Sequence, residues 1–387
     1  MSREIAIRAG KGAIFIGAAK WLDVFGTMVT LLFTARLLSP EAFGIYGMAL
    51  LAILIPETIL GGALAESLIQ RRDLRPGHLN GAFALHAVLL VLLVGGLLQV
   101  NPFIVAHFHE PQLRLVVPVM AGCVFFSCLG AVPGAILQRE LRFGAIALGD
   151  AAGSIAAAVV GIGFAFAGFG VWSLVFMEMS RRFAKHLCFI AAARWFPTLR
   201  FGLNDIRELL RFNLFTLVTR LLLQFDQAIP SFFVGSILGA QALGYFNMAF
   251  RILQQISAVM LAPFTSIALP VASAVQHDRQ RLHGFLSAAT RAAALLAFPV
   301  FVGASAVAPV ALPLLLGEEW APVGLAAQIL ILTAIRSPAN VFNGEVLRGV
   351  GKPGLQVATV LAGTILALIL VPIAAPYGIA WTCAAVL

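Results

Sequence analysis

An all-α integral membrane protein with two six-helix lobes in the same orientation is the fold this sequence predicts. Three observations carry that expectation: the composition, a series of long apolar stretches, and a likeness between the two halves at a constant offset. Of the 387 residues, 60% are hydrophobic and 11% charged, and the mean hydropathy is +0.97. A soluble domain carries roughly a quarter charged residues, so no aqueous fold accounts for this chain.

A bilayer core about 30 Å thick takes about 20 apolar residues per helix. Stretches of that kind predict spans near 12–37, 41–69, 79–104, 112–137, 142–167 and 169–193. A longer polar stretch with Arg194, Arg200, Asp205, Arg207 and Arg211 follows. Further spans are expected near 212–236, 244–270, 285–315, 321–346 and 353–374, and a twelfth begins at Tyr377 and is cut off. The reading is therefore about eleven complete helices plus a truncated twelfth, divided into lobes 1–195 and 196–387, the second incomplete. A membrane β-barrel is excluded because the segments lack period-two alternation and run to at least twice the length of a barrel strand.

The net charge of +9 is scattered over short loops, so it signals topology and no nucleic-acid partner is expected. Arg3, Arg8 and Lys11; Arg71, Arg72 and Arg75; Arg139 and Arg142; Arg181, Arg182 and Lys185; Arg279 and Arg281; and Arg348 and Lys352 all fall on one side in this reading. The opposite loops carry Glu41, Glu110 with Arg114, and Glu318 with Glu319. The positive-inside rule then places the amino terminus of this multi-pass chain in the cytoplasm. The basic start MSREIAIRAGKG precedes a long apolar run without a small-x-small cleavage site, so the first helix is expected to be retained.

ARLLSPEAFGIYGMAL at 35–50 and GSILGAQALGYFNMAF at 235–250 align without gaps. Leu38 matches Leu238, Ala42 Ala242, Gly44 Gly244, Met48 Met248 and Ala49 Ala249, and the same offset pairs Lys20 with Arg220. Two lobes in the same orientation imply a pseudo-twofold axis along the membrane normal, an arrangement that transporters use to rock one half against the other.

Ionisable residues within spans are the candidate site. Lys20, Asp23, Thr27, Thr30 and Thr34 recur at steps of three and four, which puts them on one face of the first helix. The seventh span repeats the device with Asn213, Thr216, Arg220, Gln224, Gln227 and Ser231, and the eighth with Asn247, Arg251 and Gln254. A charge at mid-helix costs about 2.5–3.5 kcal/mol on insertion scales, so such residues face a partner or water within the bundle. Lys20 and Asp23 can neutralise one another, as can Arg220 and Asp226 through neighbouring spans; Arg251 has no acid on its own face and is the better ligand contact. Glu57 follows Pro56, where the helix can open and the carboxylate can titrate, and Asp150 and Glu178 are similarly placed. Thr333, Arg336, Asn340 and Asn343 form a further polar face beside Pro338 and Glu345, read as a kink or anchor. His107, His109 and Glu110 read as a solvated loop, Cys123, Cys128, Cys188 and Cys383 as small core residues, and no metal or cofactor is expected.

KGAIFIGAAKWLDVFGTMVTLLFTARLLSPEAFGIYGMA, then ESLIQRRDLRPGHLN, and PGAILQRELRFGAIALGDAAGSIAAAVVGIGFAFAGFGVWSLV resemble the polysaccharide-transporter branch of the multidrug/oligosaccharidyl-lipid/polysaccharide exporters. That branch includes O-antigen and exopolysaccharide flippases. The resemblance implies 12 to 14 helices in two lobes, alternating access, and as substrate an oligosaccharide on an undecaprenyl pyrophosphate carrier for lipopolysaccharide, O-antigen or exopolysaccharide synthesis. It implies a place in the bacterial cell inner membrane, contact of Lys20, Arg220 and Arg251 with the pyrophosphate, and membrane lipid, a polymerase and export machinery as partners; Asp23, Glu57 and Asp226 are read from their positions in the spans as coupling or ion-pair residues.

Two rivals make different demands. A cation-coupled multidrug exporter of the same superfamily predicts an acid-rich cavity, whereas these stripes carry Lys20, Arg220 and Arg251. A membrane-embedded glycan polymerase or ligase needs a sizeable outward loop or a catalytic cluster. No nucleophile elbow, phosphate-binding glycine loop or HExxH is present, so a transporter rather than an enzyme is expected.

Overall fold

Apolar runs interrupted by proline, glycine and clustered charge form helices joined by short turns in the computed structural model, with no strand among the described residues. Those residues are 26–63, 68–69, 71, 73–198, 202–274, 278–338, 342, 346–347 and 353–385. In chain order the helices are α1 (Gly26–Leu37), α2 (Pro40–Thr58), α3 (Pro76–Phe108), α4 (Leu113–Arg139), α5 (Phe143–Phe166) and α6 (Val171–Ala193). Then come α7 (Leu203–Ala274), α8 (Arg279–Leu316), α9 (Ala321–Thr333), α10 (Pro353–Ala374) and α11 (Ile379–Ala385). Eight helices among the described residues are long and apolar enough to cross a membrane.

Local chemistry sets the boundaries. The Ser39 hydroxyl accepts the Ala42 amide at 3.3 Å, with Pro40 opening α2 where its missing donor costs nothing. Asp278 caps α8 by accepting from the Gln280 and Arg281 amides at 3.1 and 3.0 Å. Gly168 and Gly170 have φ of +79° and +56°, which lets the chain reverse between α5 and α6 within four residues. At Gly239 (φ 84°, ψ −175°) α7 breaks, where the sequence predicts the turn between its seventh and eighth spans. After Glu57, α2 passes into a π-helical turn, Ile59–Ala63, an insertion common at functional positions.

The chain divides into two compact units, Met1–Gln224 and Phe225–Leu387. In the first, α6 packs between α4 and α5 through small residues. Buried Gly149, Gly153, Ala157, Gly161 and Ala165 repeat every fourth position of α5. A Cβ on Gly153 would sit 2.8 Å from the Arg181 carbonyl oxygen, and one on Gly161 2.8 Å from Met177 Cγ. On α4, a Cβ at Gly130 would run into the His186 ring at 1.9 Å. In a membrane, where apolar burial drives no helix pairing, such close backbone approach supplies the association.

In the second unit α8 and α9 pack closely, with Gly324 against the Pro309 backbone and Ser305 donating to the Gln328 carbonyl at 2.9 Å. The offset of 200 carries matching burial: Met48 and Met248 are 0% and 2% exposed, Ala49 and Ala249 both 0%, and Tyr46 and Phe246 3% and 1%. Outward faces remain apolar, as at Val91, Leu92 and Phe103 on α3 and Leu295, Val310 and Leu314 on α8. Faces this apolar suit contact with lipid.

Candidate functional site

The polar face expected on the first helix turns inward. Thr30 and Thr34 are buried, and their hydroxyls donate to the Gly26 and Thr30 carbonyls at 2.7 Å each. Lys20 and Asp23, at the start of that stripe, lie outside the described residues.

The densest charge constellation lies on α6. Arg181, Arg182 and Lys185, which the sequence reading puts among loop cations, sit in the middle of that 23-residue helix, with Glu178 one turn before them. Their partners from other helices, not proximity to a helix end, make the position tenable. Arg182 donates from Nε to Glu178 Oε1 at 2.9 Å and from Nη1 to Ser127 Oγ at 3.0 Å, and it also donates to Glu57 Oε1. The Ser127 hydroxyl donates to Glu57 Oε1 at 2.9 Å, so α2, α4 and α6 meet in one network.

The network is largely shielded: Arg182, Glu57 and Glu178 side chains are 18%, 25% and 16% exposed. Arg181 Nε lies 3.9 Å from Glu178 Oε2, so among the described residues two cations meet two carboxylates here. One turn on, Lys185 Nζ pairs with Asp150 Oδ1 at 2.8 Å and rests 5.5 Å from the centre of the Phe189 ring. Glu57 Oε2 is buried without a hydrogen bond, a residual acceptor beside the π-helical turn. Glu57 thus sits in an ion-paired network, and so do Glu178 and Asp150, the other acids singled out for their spans.

The remaining candidates divide between the units. Arg220 is half-buried in the first, near its end at Gln224. In the second, Arg251 is half-buried and makes no ion pair among the described residues, while Asp226 Oδ1 accepts the Thr364 hydroxyl at 2.9 Å. Ser231 donates to Asn247 Oδ1 at 2.9 Å, tying the two stripes of α7 together across its break. The side chains of Asn213 and Thr216, and the residues Asn340, Asn343 and Glu345, lie outside the described part of the structure.

Sequence reasoning missed Arg182 and Ser127 as the partners of Glu57. The signal was present: Glu178, Arg181, Arg182 and Lys185 recur at steps of three and four, and the α5 helix they face carries a small residue at every fourth position.

Residues 33–324 match the model of a family described as polysaccharide biosynthesis protein. The chain is 24% identical to the succinoglycan biosynthesis transport protein ExoT of Rhizobium meliloti over 325 residues, 84% of this chain and 66% of that one. It is 25% identical to the teichuronic acid biosynthesis protein TuaB of Bacillus subtilis, over 77% of this chain and 62% of the relative. With the lipopolysaccharide biosynthesis protein WzxC of Escherichia coli it shares 22% identity over 87% and 68%. The chain thus spans about two thirds of the length of these relatives. Among solved structures, the lipid II flippase MurJ in an inward closed conformation aligns with a TM-score of 0.78 at 14% identity, over 96% of this chain and 85% of that one. A multidrug resistance transporter of the MATE family, inward-facing, also gives 0.78, at 15% identity over 94% and 90%.

Proposed function

The chain belongs to the polysaccharide biosynthesis protein family, and from that premise we propose that it is a flippase for lipid-linked oligosaccharide. In this reading an oligosaccharide on undecaprenyl pyrophosphate passes from the cytoplasmic to the outer leaflet of the inner membrane, for lipopolysaccharide, O-antigen or exopolysaccharide assembly. The family match over 33–324 carries the proposal. The relatives named for transport and polysaccharide biosynthesis support it, and so does a fold shared with a lipid II flippase.

The proposed mechanism is alternating access of two lobes, each with its amino-terminal helix entering from the cytoplasm. Lys20, Arg220 and Arg251 offset the pyrophosphate charge in a wet cavity while the prenyl tail stays in hydrocarbon, and the cations replace hydration that the anion gives up. With the cytoplasm negative, outward movement of negative charge is favoured by about 2.3 kcal/mol per elementary charge per 100 mV, so the potential alone can bias export. Arg251 is the strongest of the three assignments, because among the described residues no carboxylate already claims it. Glu57 and Asp226 are the coupling candidates, Glu57 through its pairing with Arg182 and Asp226 through Thr364. A polymerase and export machinery then receive the product.

The test is complementation of a flippase-null strain by wild type and by Lys20→Gln, Arg220→Gln and Arg251→Gln, scoring surface polysaccharide at matched membrane abundance. Polymer restored by wild type and lost with the neutral variants supports the cationic contact. Equal restoration by all four makes the cations structural and ends the site assignment.

A further inference from the structure

We propose that His86, within α3, is a proton-binding site of the first unit, and that its proton ties the π-helical turn after α2 to α3. His86 is fully buried in the otherwise apolar run 83–94. Its ring Nδ1 lies 2.7 Å from the Ala82 carbonyl oxygen, one turn back on the same helix, and therefore carries a hydrogen and donates it. The other ring nitrogen, Nε2, is buried and makes no hydrogen bond among the described residues. An ionisable side chain inside a membrane span is costly and marks a functional position, and a buried polar atom left without a partner calls for an explanation of its own.

The surroundings of the ring supply acceptors. Besides Ala82, the backbone carbonyl of Leu60 stands against it, within the π-helical turn Ile59–Ala63. In a turn closed by i→i+5 bonds the carbonyls tilt away from the amides four residues on, which opens them to a side chain. A neutral ring with its hydrogen on Nδ1 has nothing to donate to Leu60. A proton taken from water by the Nε2 lone pair gives the ring a second donor, and the Leu60 carbonyl is the acceptor at hand. Burial opposes the charge, and the two carbonyls offset part of that cost. The new hydrogen bond joins α3 to the turn that follows Glu57.

The titratable groups on the elements packed against α3 are engaged elsewhere. On α2, Glu41 lies in the first turn, and Glu57 is held by Arg182 and Ser127. On α4, Arg114 and Arg139 lie at the two ends, and Cys123 and Cys128 are buried thiols between them. The π-helical turn itself carries no titratable side chain. Among the described residues no carboxylate pairs with His86, so a proton bound there breaks no ion pair, in contrast to one bound at Glu57.

The test uses the full-length protein in lipid nanodiscs, with isotope-labelled histidine ring nitrogens and alanine carbonyl carbons. Ala82 is the only alanine four residues ahead of a histidine, so transfer from a labelled carbonyl identifies the His86 ring in the wild type without a variant. Solid-state NMR is expected to show the Nδ1–H tautomer at neutral pH and, reversibly, a ring protonated on both nitrogens as the pH is lowered. Over the same interval hydrogen exchange at the amides of 59–63, corrected for the chemical rate, is expected to slow severalfold in the wild type and not in His86→Gln, with His86→Asn in its place should the first variant fail to fold. A ring that stays neutral at every pH at which the protein remains folded overturns the proposal, and so does a hydrogen on Nε2 instead of Nδ1 at neutral pH. Exchange at the turn that does not follow the titration of the ring overturns it equally. Neither measurement uses substrate, so these outcomes and the failure of the flippase reading are separately visible.

Discussion

Replacing Arg182 by glutamine removes the cation that joins three helices. The variant leaves Glu57 and Glu178, 25% and 16% exposed, without the cation they share, while Arg181 stays 3.9 Å from Glu178. Breaking a buried pair by removing one partner costs about 3–5 kcal/mol. Partial exposure and the nearby Arg181 put the expectation at the lower end, about 3 kcal/mol, or roughly a 150-fold shift in the folding equilibrium at 1.36 kcal/mol per decade. Glu57→Gln removes one carboxylate and leaves Arg182 paired with Glu178, so it costs about 1–2 kcal/mol. The double variant no longer holds Glu57 against Glu178 without a cation. It is expected to be more stable than the sum of the singles by about 2 kcal/mol, within the usual range for contacting residues. Reversible unfolding of the detergent-solubilised protein, followed by far-UV circular dichroism, measures all three. A loss below about 0.5 kcal/mol for Arg182→Gln, the level of an ordinary surface change, refutes the idea that this network holds α2, α4 and α6 together.

Gly153→Val on α5 puts a branched side chain where even a Cβ meets the Arg181 carbonyl at 2.8 Å; membrane abundance falls severalfold, whereas Gly163→Ala, open on all sides, leaves it unchanged in the same immunoblot. The hydrogen bond from Arg71 holds the Glu208 carboxyl below the usual carboxylate range. A depressed carboxylate contributes stability that is present above its unfolded pKa and lost as pH falls through the folded value. The mobility of a spin label at exposed Arg207→Cys, next to Glu208, is therefore constant from neutral pH down to the ordinary carboxylate range and rises only below it; a rise near neutrality contradicts this reading. Thr364→Val deprives Asp226 of its donor, and an Asp226→Asn background should remove most of that variant's effect on thermal unfolding. Fully additive effects rule out the contact.

Element identity was legible because each span carries its own signal. The predicted stretches 112–137, 142–167 and 169–193 correspond to α4 (Leu113–Arg139), α5 (Phe143–Phe166) and α6 (Val171–Ala193), since about 20 apolar residues and a glycine or charged turn set a helix locally. The eleven-helix count is a finer matter, as eight helices among the described residues pass on length and hydropathy. The helix α6, with four charged residues, is not among those eight.

The candidate site was legible in part. The inward turn of Thr30 and Thr34 follows from their spacing, because side chains at steps of three and four share one face whatever the neighbours are. Pairing is different in kind. Glu57 reaches Ser127 and Arg182 at separations of 70 and 125 residues, and Arg71 reaches Glu208 at 137. No periodicity encodes such distances.

From sequence alone followed an all-helical membrane protein, the approximate positions of its helices and which of their faces are polar. These are short-range consequences of hydropathy and of 3.6 residues per turn. Tertiary structure alone decided that Arg182 is the partner of Glu57, that Trp195 packs on Phe83 and the Leu68 cluster, and that Glu208 pairs with Arg71. The cost of a charge or a tryptophan in this setting depends on what lies across from it, and helix packing supplies that.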